Sequence, residues 1–214
     1  MIVVIPARNE RGSIIRTVKL ASILPATVVV VDDGSSDGTG DVARGAGATV
    51  VEPIAPGSYA RAIMTGIDFA LGRPEGDRIL TVDCESHNPL EAKLMMAFPA
   101  DVVFGTRIAS DAPISRRLLS WSAARMASGL LGMPVRDATS GFRLYSPRAA
   151  TSLVKLWSKL ANCSNHGFNL ISLVLLRRAG YVIQPAPITY RAGKSELRWT
   201  EPWRVLREVW ELAR

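Results

Sequence analysis

Residues Arg78–Pro89 read R-I-L-T-V-D-C-E-S-H-N-P, and the rest of the chain is best read outward from them. Ile79–Val82 is an apolar, partly β-branched run of the kind a buried strand carries. It stops at Asp83-Cys84-Glu85-Ser86-His87, and Pro89 can open the helix that follows. Alternate residues of an extended chain point to one side, so Asp83, Glu85 and His87 can converge on one ion. Two carboxylates and an imidazole, with room left for water or substrate oxygens, suit Mn2+ or Mg2+. A turn whose acids only cap the next helix would carry the same residues, so the triplet alone leaves both readings open.

On either side of this stretch, strand and helix patterns alternate. Met1–Pro6 reads as a buried strand stopped by Pro6, followed by the polar loop Ala7-Arg8-Asn9-Glu10 and a helix through about Ile23. Thr27–Val31 is a second strand, ending in the turn-rich D-D-G-S-S-D-G of Asp32–Gly38. Ala48–Glu52 is a third, Arg78–Asp83 a fourth and Asp101–Thr106 a fifth. Helices are expected over Tyr59–Leu71 and Leu90–Ala97. Repeated strand–helix units with near-continuous apolar strands predict an α/β fold, a mostly parallel central sheet with helices on both faces. Ligands of such open sheets bind outside the carboxyl ends of the strands. The three polar clusters, Ala7–Glu10, Asp32–Asp37 and Asp83–His87, all fall at such ends, which is the strongest purely physical argument for a site.

The second half has a different character. Ser115–Leu131 reads as an amphipathic helix carrying Arg116, Arg117 and Arg125, and a strand is expected near Phe142–Tyr145 after D-A-T-S-G at Asp137–Gly141. Arg148–Lys159 and Gly167–Arg178 read as helices, Tyr181–Tyr190 as an edge strand broken by Pro185 and Pro187, and Pro202–Arg214 as a last helix.

The chain has 214 residues, 48% hydrophobic and 21% charged, enough for one well-filled domain and unlike a disordered chain. Residues 1–100 carry 9 Lys/Arg against 12 Asp/Glu, and residues 101–214 carry 17 against 7. An acidic first half suits a cation, and a basic second half suits an anionic partner or a merely solvated surface. No apolar run approaches the roughly 18–20 residues of a membrane span. The chain opens directly on Ile2–Ile5 without a leader pattern, and its two cysteines, Cys84 and Cys163, form no disulfide framework. A cytoplasmic protein is therefore expected. No G-x-G-x-x-G follows the first strand and no Walker lysine loop is present, which excludes the usual dinucleotide and P-loop sites.

Five motifs in order carry a resemblance. They are I-V-V-I-P-A-R-N-E at Ile2–Glu10, V-V-V-D-D-G-S-S-D-G-T at Val29–Thr39, Asp83–Pro89, V-F-G-T-R at Val103–Arg107, and D-A-T-S-G-F-R at Asp137–Arg143. Together they resemble the family-2 glycosyltransferases of the GT-A (Rossmann-like) fold, in the dolichol-phosphate mannose synthase and polyprenyl-phosphate glycosyltransferase group. The resemblance covers residues 1–197. It implies a single domain: residues 1–107 for nucleotide-sugar and metal, 108–197 for the acceptor, and an amphipathic helix over 198–214.

It further implies transfer of a hexose, with inversion and a divalent metal, from a UDP- or GDP-sugar to a polyprenyl or dolichyl phosphate. The enzyme would meet the inner face of the membrane peripherally. Pro6, Ala7, Arg8, Asn9, Glu10, Asp32, Asp33 and Asp83 would bind the donor, with Asp32 reading base or ribose. Asp83 and Glu85 occupy the D-x-D positions, and His87 stands where the family usually has Gln. Arg107, Arg116, Arg117, Thr139, Ser140, Arg191 and Lys194 would hold acceptor or phosphate, and Arg143 would join the catalytic set. A hydroxyl on a protein, glycan or modified nucleic acid is the alternative acceptor. It would need a general base, for which Asp137 is the candidate; a phosphate needs none. A non-catalytic nucleotide-sugar-binding relative is a further alternative. The chain departs from the family at Asp-Cys-Glu in place of Asp-Ala-Asp, at Asn169 and at Glu196. If His87 is a ligand, metal affinity should fall below about pH 6.5.

Overall fold

The computed structural model describes residues 1–84, 87–107, 124–189, 204–205 and 207–208. Its strands are β1 (Ile2–Ala7), β2 (Thr27–Asp32), β3 (Thr49–Val51), β4 (Ile79–Thr81), β5 (Val102–Arg107), β6 (Arg143–Tyr145) and β7 (Ile183–Ile188). They form one sheet in the order β3-β2-β1-β4-β6-β5-β7. β6 runs antiparallel to both neighbours; every other pairing is parallel. Because β6 sits between β4 and β5, the two expected halves of the chain share this sheet.

The helices are α1 (Ile14–Ala21), α2 (Thr39–Gly45), α3 (Tyr59–Leu71), α4 (Ala92–Met95), α5 (124–131), α6 (Pro147–Lys155), α7 (Trp157–Leu160) and α8 (Asn165–Arg178). Alternation along the strands feeds two cores. Ile2, Val4, Val29 and Val31 face α3, α6 and α8, whereas Val3, Ile5, Val28 and Val30 face α1 and α2. Both faces are covered, which is why the strands read as unbroken apolar runs. α3 lies tight against the sheet: a Cβ at Gly66 would stand 2.2 Å from Val4 Cγ1.

Several expected boundaries shift for local reasons. Pro6 does not end β1, because the strand continues to Ala7 opposite Asp32. In β1 the even residues face β4, as Ile2 donates to the Arg78 carbonyl and Val4 accepts from Val82 N–H. That ladder is over by Pro6, so its missing N–H removes no bond. The same parity protects β7: the Val182 carbonyl faces β5, so Pro185 and Pro187 turn their nitrogens to the open edge. The helix expected over Leu90–Ala97 is instead a 3-10 turn, Pro89–Glu91, running into the short α4. Arg148–Lys159 divides into α6 and α7. Of the last helix, residues 204, 205, 207 and 208 are described and are helical.

Candidate active site

The chain runs β1 to β2 to β3 outward, then returns to lay β4 on the other side of β1. The sheet's strand order therefore reverses between β1 and β4, and the crevice outside their carboxyl ends is where such a fold binds its ligand. The loops after β1 and β2 are built into one wall there. Asn9 N–H donates to Ser35 Oγ at 2.9 Å, and Ser36 N–H donates to Asn9 Oδ1 at 2.9 Å. Glu10 N–H donates to Thr39 Oγ1 at 2.8 Å, and Arg11 N–H to Asp37 Oδ2 at 3.1 Å. Asn9 has φ 55°, a left-handed conformation that Asn tolerates better than most residues.

Asp32 and Asp33 are both buried at the end of β2. Asp32 Oδ1 accepts from Ser35 N–H at 2.9 Å, and Asp33 Oδ1 accepts from Gly57 N–H at 2.7 Å. A Cβ at Gly40 would lie 2.6 Å from Asp32 Oδ2, so glycine leaves that oxygen its space. These carboxylates first of all hold the turns around them.

Asp83 differs. Its side chain is 33% exposed at the end of β4. The backbone on either side is pinned: Thr81 Oγ1 donates to the Gly141 carbonyl at 2.7 Å, and Thr17 Oγ1 donates to the Cys84 carbonyl. Tyr59, the first residue of α3, donates its hydroxyl to Asp83 Oδ1 at 3.0 Å. Burial, with the Asp83 charge behind it, holds the Tyr59 phenol well above its usual range, so it remains a donor. A Cβ at Gly141 would lie 2.3 Å from Tyr59 Oη and 2.4 Å from Asp83 Oδ1; only glycine lets this pair approach.

The His87 side chain is brought to the same place but is buried, 2% exposed. Its ring stacks on Phe142 at 5.4 Å and 16°, with Nε2 3.3 Å from Ser140 Oγ and Nδ1 3.6 Å from Asp83 Oδ2. Burial lowers its pKa against the opposing pull of Asp83. The protonation expected near pH 6.5 therefore moves to lower pH, and the imidazole is neutral at pH 7. Glu85 lies outside the described residues, as do Arg116, Arg117, Arg191 and Lys194. Among the described residues no group of three or more His, Cys, Asp or Glu side chains is placed to hold a metal.

The segment after residue 136 is held from beneath. Four successive carbonyls each accept from a side chain. Arg143 Nη2 reaches Ala138 O at 2.8 Å, Asn169 Nδ2 reaches Thr139 O at 2.9 Å, and Arg143 Nε reaches Ser140 O at 2.9 Å. Thr81 takes Gly141 O. Arg143 also donates to Ser172 Oγ at 2.9 Å and is only 1% exposed. The guanidinium expected to meet substrate thus supports the floor of the site.

Asp137 likewise changes character. Arg107 Nε donates to its Oδ2, while Thr139 N–H and Thr139 Oγ1 donate to Oδ1 at 2.9 and 2.8 Å. Burial alone would raise this carboxyl, but the Arg107 hydrogen bond and charge, helped by Thr139, hold it below the ordinary carboxylate value. A carboxylate so stabilised is a weak base. Arg107 also donates to Thr139 Oγ1 at 2.8 Å, so much of its fork is engaged by the protein. Tyr59 carried no motif in the sequence, and Asn169 stood out only as a departure; the geometry brings both beneath the site.

Residues 2–151 match the model of glycosyl transferase family 2. The chain belongs to that family. It is 32% identical over 207 residues to a dolichyl-phosphate hexose transferase of Haloferax volcanii, covering 91% of this chain and 85% of the relative. It is 29% identical over 215 residues to an undecaprenyl-phosphate mannosyltransferase of Micrococcus luteus, covering 92% and 87%. Among solved structures, the mannosyl-3-phosphoglycerate synthase of Rubrobacter xylanophilus superposes with a TM-score of 0.71 at 15% identity, covering 100% of this chain and 73% of that one. The glucosyl-3-phosphoglycerate synthase of Mycobacterium tuberculosis, in complex with Mn2+, UDP-glucose and phosphoglyceric acid, gives 0.68 at 19% identity, covering 98% and 78%. The fold of this family-2 glycosyltransferase is thus the GT-A fold. No helix among its described residues is long and apolar enough to cross a membrane.

Proposed function

We propose that this glycosyltransferase moves a hexose from a nucleoside-diphosphate sugar to a polyprenyl phosphate, with inversion at the anomeric carbon. The observation that carries the reading is Asp83. It is a partly exposed carboxylate at the sheet's switch point, beside the wall formed by Asn9, Glu10 and Asp32. The names of the Haloferax and Micrococcus relatives support the acceptor class. The Mycobacterium tuberculosis structure, with its Mn2+ and UDP-glucose, supports a nucleoside-diphosphate sugar donor and a divalent cation.

The residues fit such a cation. Asp83 offers a hard oxygen donor beside a side-chain-free backbone at Gly141, and one or two carboxylates plus substrate phosphates are how Mg2+ and Mn2+ are usually held. Asp83 and Glu85 would hold it, and when bound it supplies Lewis-acid stabilisation of the departing diphosphate. The loops from Ala7 to Glu10 and from Asp32 to Asp37 would enclose the nucleotide. Lone pairs of Asp32 and Asp33 not already accepting backbone N–H groups would orient ribose or base. Arg116, Arg117, Arg191 and Lys194 would bring fixed positive charge to the acceptor phosphate.

Basicity also supports the acceptor class. A hydroxyl must lose a proton, and Asp137, ion-paired to Arg107 with its pKa lowered, is badly suited to take one. A phosphate is already an anion at neutral pH. The test is to incubate the purified protein with UDP- and GDP-hexoses and undecaprenyl or dolichyl phosphate in detergent, with MnCl2 or EDTA. Mass spectrometry should detect a lipid-linked hexose with one donor, dependent on the cation. Absence of lipid product from every donor, alongside glycosylation of a hydroxyl acceptor, overturns the reading.

A further inference from the structure

We propose that Tyr59 is a positioning residue for Asp83: its hydroxyl fixes one carboxylate oxygen so that the other is presented to the cation. The inference rests on Asp83 being the donor-site carboxylate and adds the residue that sets its orientation.

The geometry assigns the two oxygens different partners. Oδ1 receives the Tyr59 hydroxyl at 3.0 Å. Oδ2 has His87 Nδ1 at 3.6 Å, beyond the distance of a normal hydrogen bond. A carboxylate held by one oxygen loses its freedom to rotate, and a ligating carboxylate oriented in this way binds metal better than a loose one. Tyr59 is itself held. It follows Ser58, whose Oγ caps α3 by accepting from Arg61 N–H, and its ring meets Phe168 edge-on at 6.3 Å and 78°. Packing alone would be met by phenylalanine, which buries no hydroxyl. The backbone also makes room for the polar pair and not only for the ring. A Cβ at Gly141 would collide with the Tyr59 oxygen and with both Asp83 oxygens, at 2.3, 2.4 and 2.8 Å.

The test is calorimetric titration of UDP and of GDP into the protein at stepped manganese concentrations, giving a manganese midpoint for nucleotide binding. In Tyr59→Phe the midpoint should rise about 10-fold, as when a metal ligand loses its supporting hydrogen bond. Tm and any metal-free nucleotide binding should be unchanged. A wild-type midpoint in Tyr59→Phe overturns the proposal. So does a shifted midpoint that comes with a lowered Tm and that Phe168→Leu reproduces, since packing and not the hydroxyl would then be responsible. Asp83→Ala separates the two levels. If it keeps the wild-type manganese midpoint, the donor-site reading has failed. If it loses metal-dependent binding while Tyr59→Phe does not, only the positioning role has failed.

Discussion

Asp83 and the segment Asp137–Arg143 lie side by side at one edge of the sheet and use their polar groups in opposite ways. Asp83 is a third exposed, accepts a hydrogen bond from Tyr59, and faces the crevice between β1 and β4. In the neighbouring segment, Asp137 is closed off by Arg107 and Thr139, and Arg143 is buried beneath three oxygen acceptors. Charged residues gathered at a sheet's carboxyl edge are therefore of two kinds. Some stay open to the crevice; others hold the backbone that shapes it. Substitutions should separate the kinds, because the first should lower activity without stability and the second should lower stability first.

The largest expected effect is at Asp83. Asp83→Ala should reduce kcat/KM more than about 100-fold, beyond what losing a supporting residue of a metal site usually does. Its Tm should stay near that of the wild type, because a partly exposed carboxylate carries little of the fold. A large loss of Tm in this variant would remove the distinction between the two regions.

Arg143→Met should do the reverse. It leaves two carbonyls and the Ser172 hydroxyl without their charged donor in a buried place, at about 3 kcal/mol or more. For a chain of this size that lowers Tm by about 6–12 °C, measurable by calorimetry. Arg143→Lys should recover little, since one ammonium cannot reproduce a planar fork reaching three acceptors.

This division was only partly legible in the chain. The apolar runs of Ile2–Ile5, Val28–Val31 and Ile79–Val82 gave the sheet, because strands covered on both faces lose their alternation. The polar clusters at their ends gave the edge where the site lies. What could not be read was commitment. Asp83 and Asp137 are the same residue type in similar turns, and only the approach of Arg107 from β5 and Tyr59 from α3 tells them apart. Pro6 misled for a related reason: whether a proline ends a strand depends on which neighbour its nitrogen faces, and that needs the strand order.

Acid titration should sharpen the contrast at Asp137. Its folded pKa lies below the ordinary 3.8, so its contribution is present above the unfolded value and is lost as pH falls through the folded one. Asp137→Asn should lower stability at pH 7, and the gap from wild type should narrow as pH drops below about 4. Denaturant midpoints of both proteins between pH 3 and 7 would measure this. A constant gap would mean that Asp137 acts through shape and hydrogen bonding, not charge.

The smallest effect lies in the wall opposite, at Asn9, where two contributions can be separated. Asn9 holds φ 55° and accepts from Ser36 N–H across 27 residues. Asn9→Ala should incur both the left-handed backbone penalty, about 1 kcal/mol, and the lost acceptor, about 1 kcal/mol at an exposed position. Asn9→Gly removes the first and keeps the second, so it should be about 1 kcal/mol more stable than Asn9→Ala by denaturant unfolding. Both variants should weaken nucleotide binding alike if the Asn9–Ser36 bond shapes the pocket. If glycine instead restores binding along with stability, the backbone turn alone orders this wall, and the side-chain bridge between the loops after β1 and β2 is incidental to the donor.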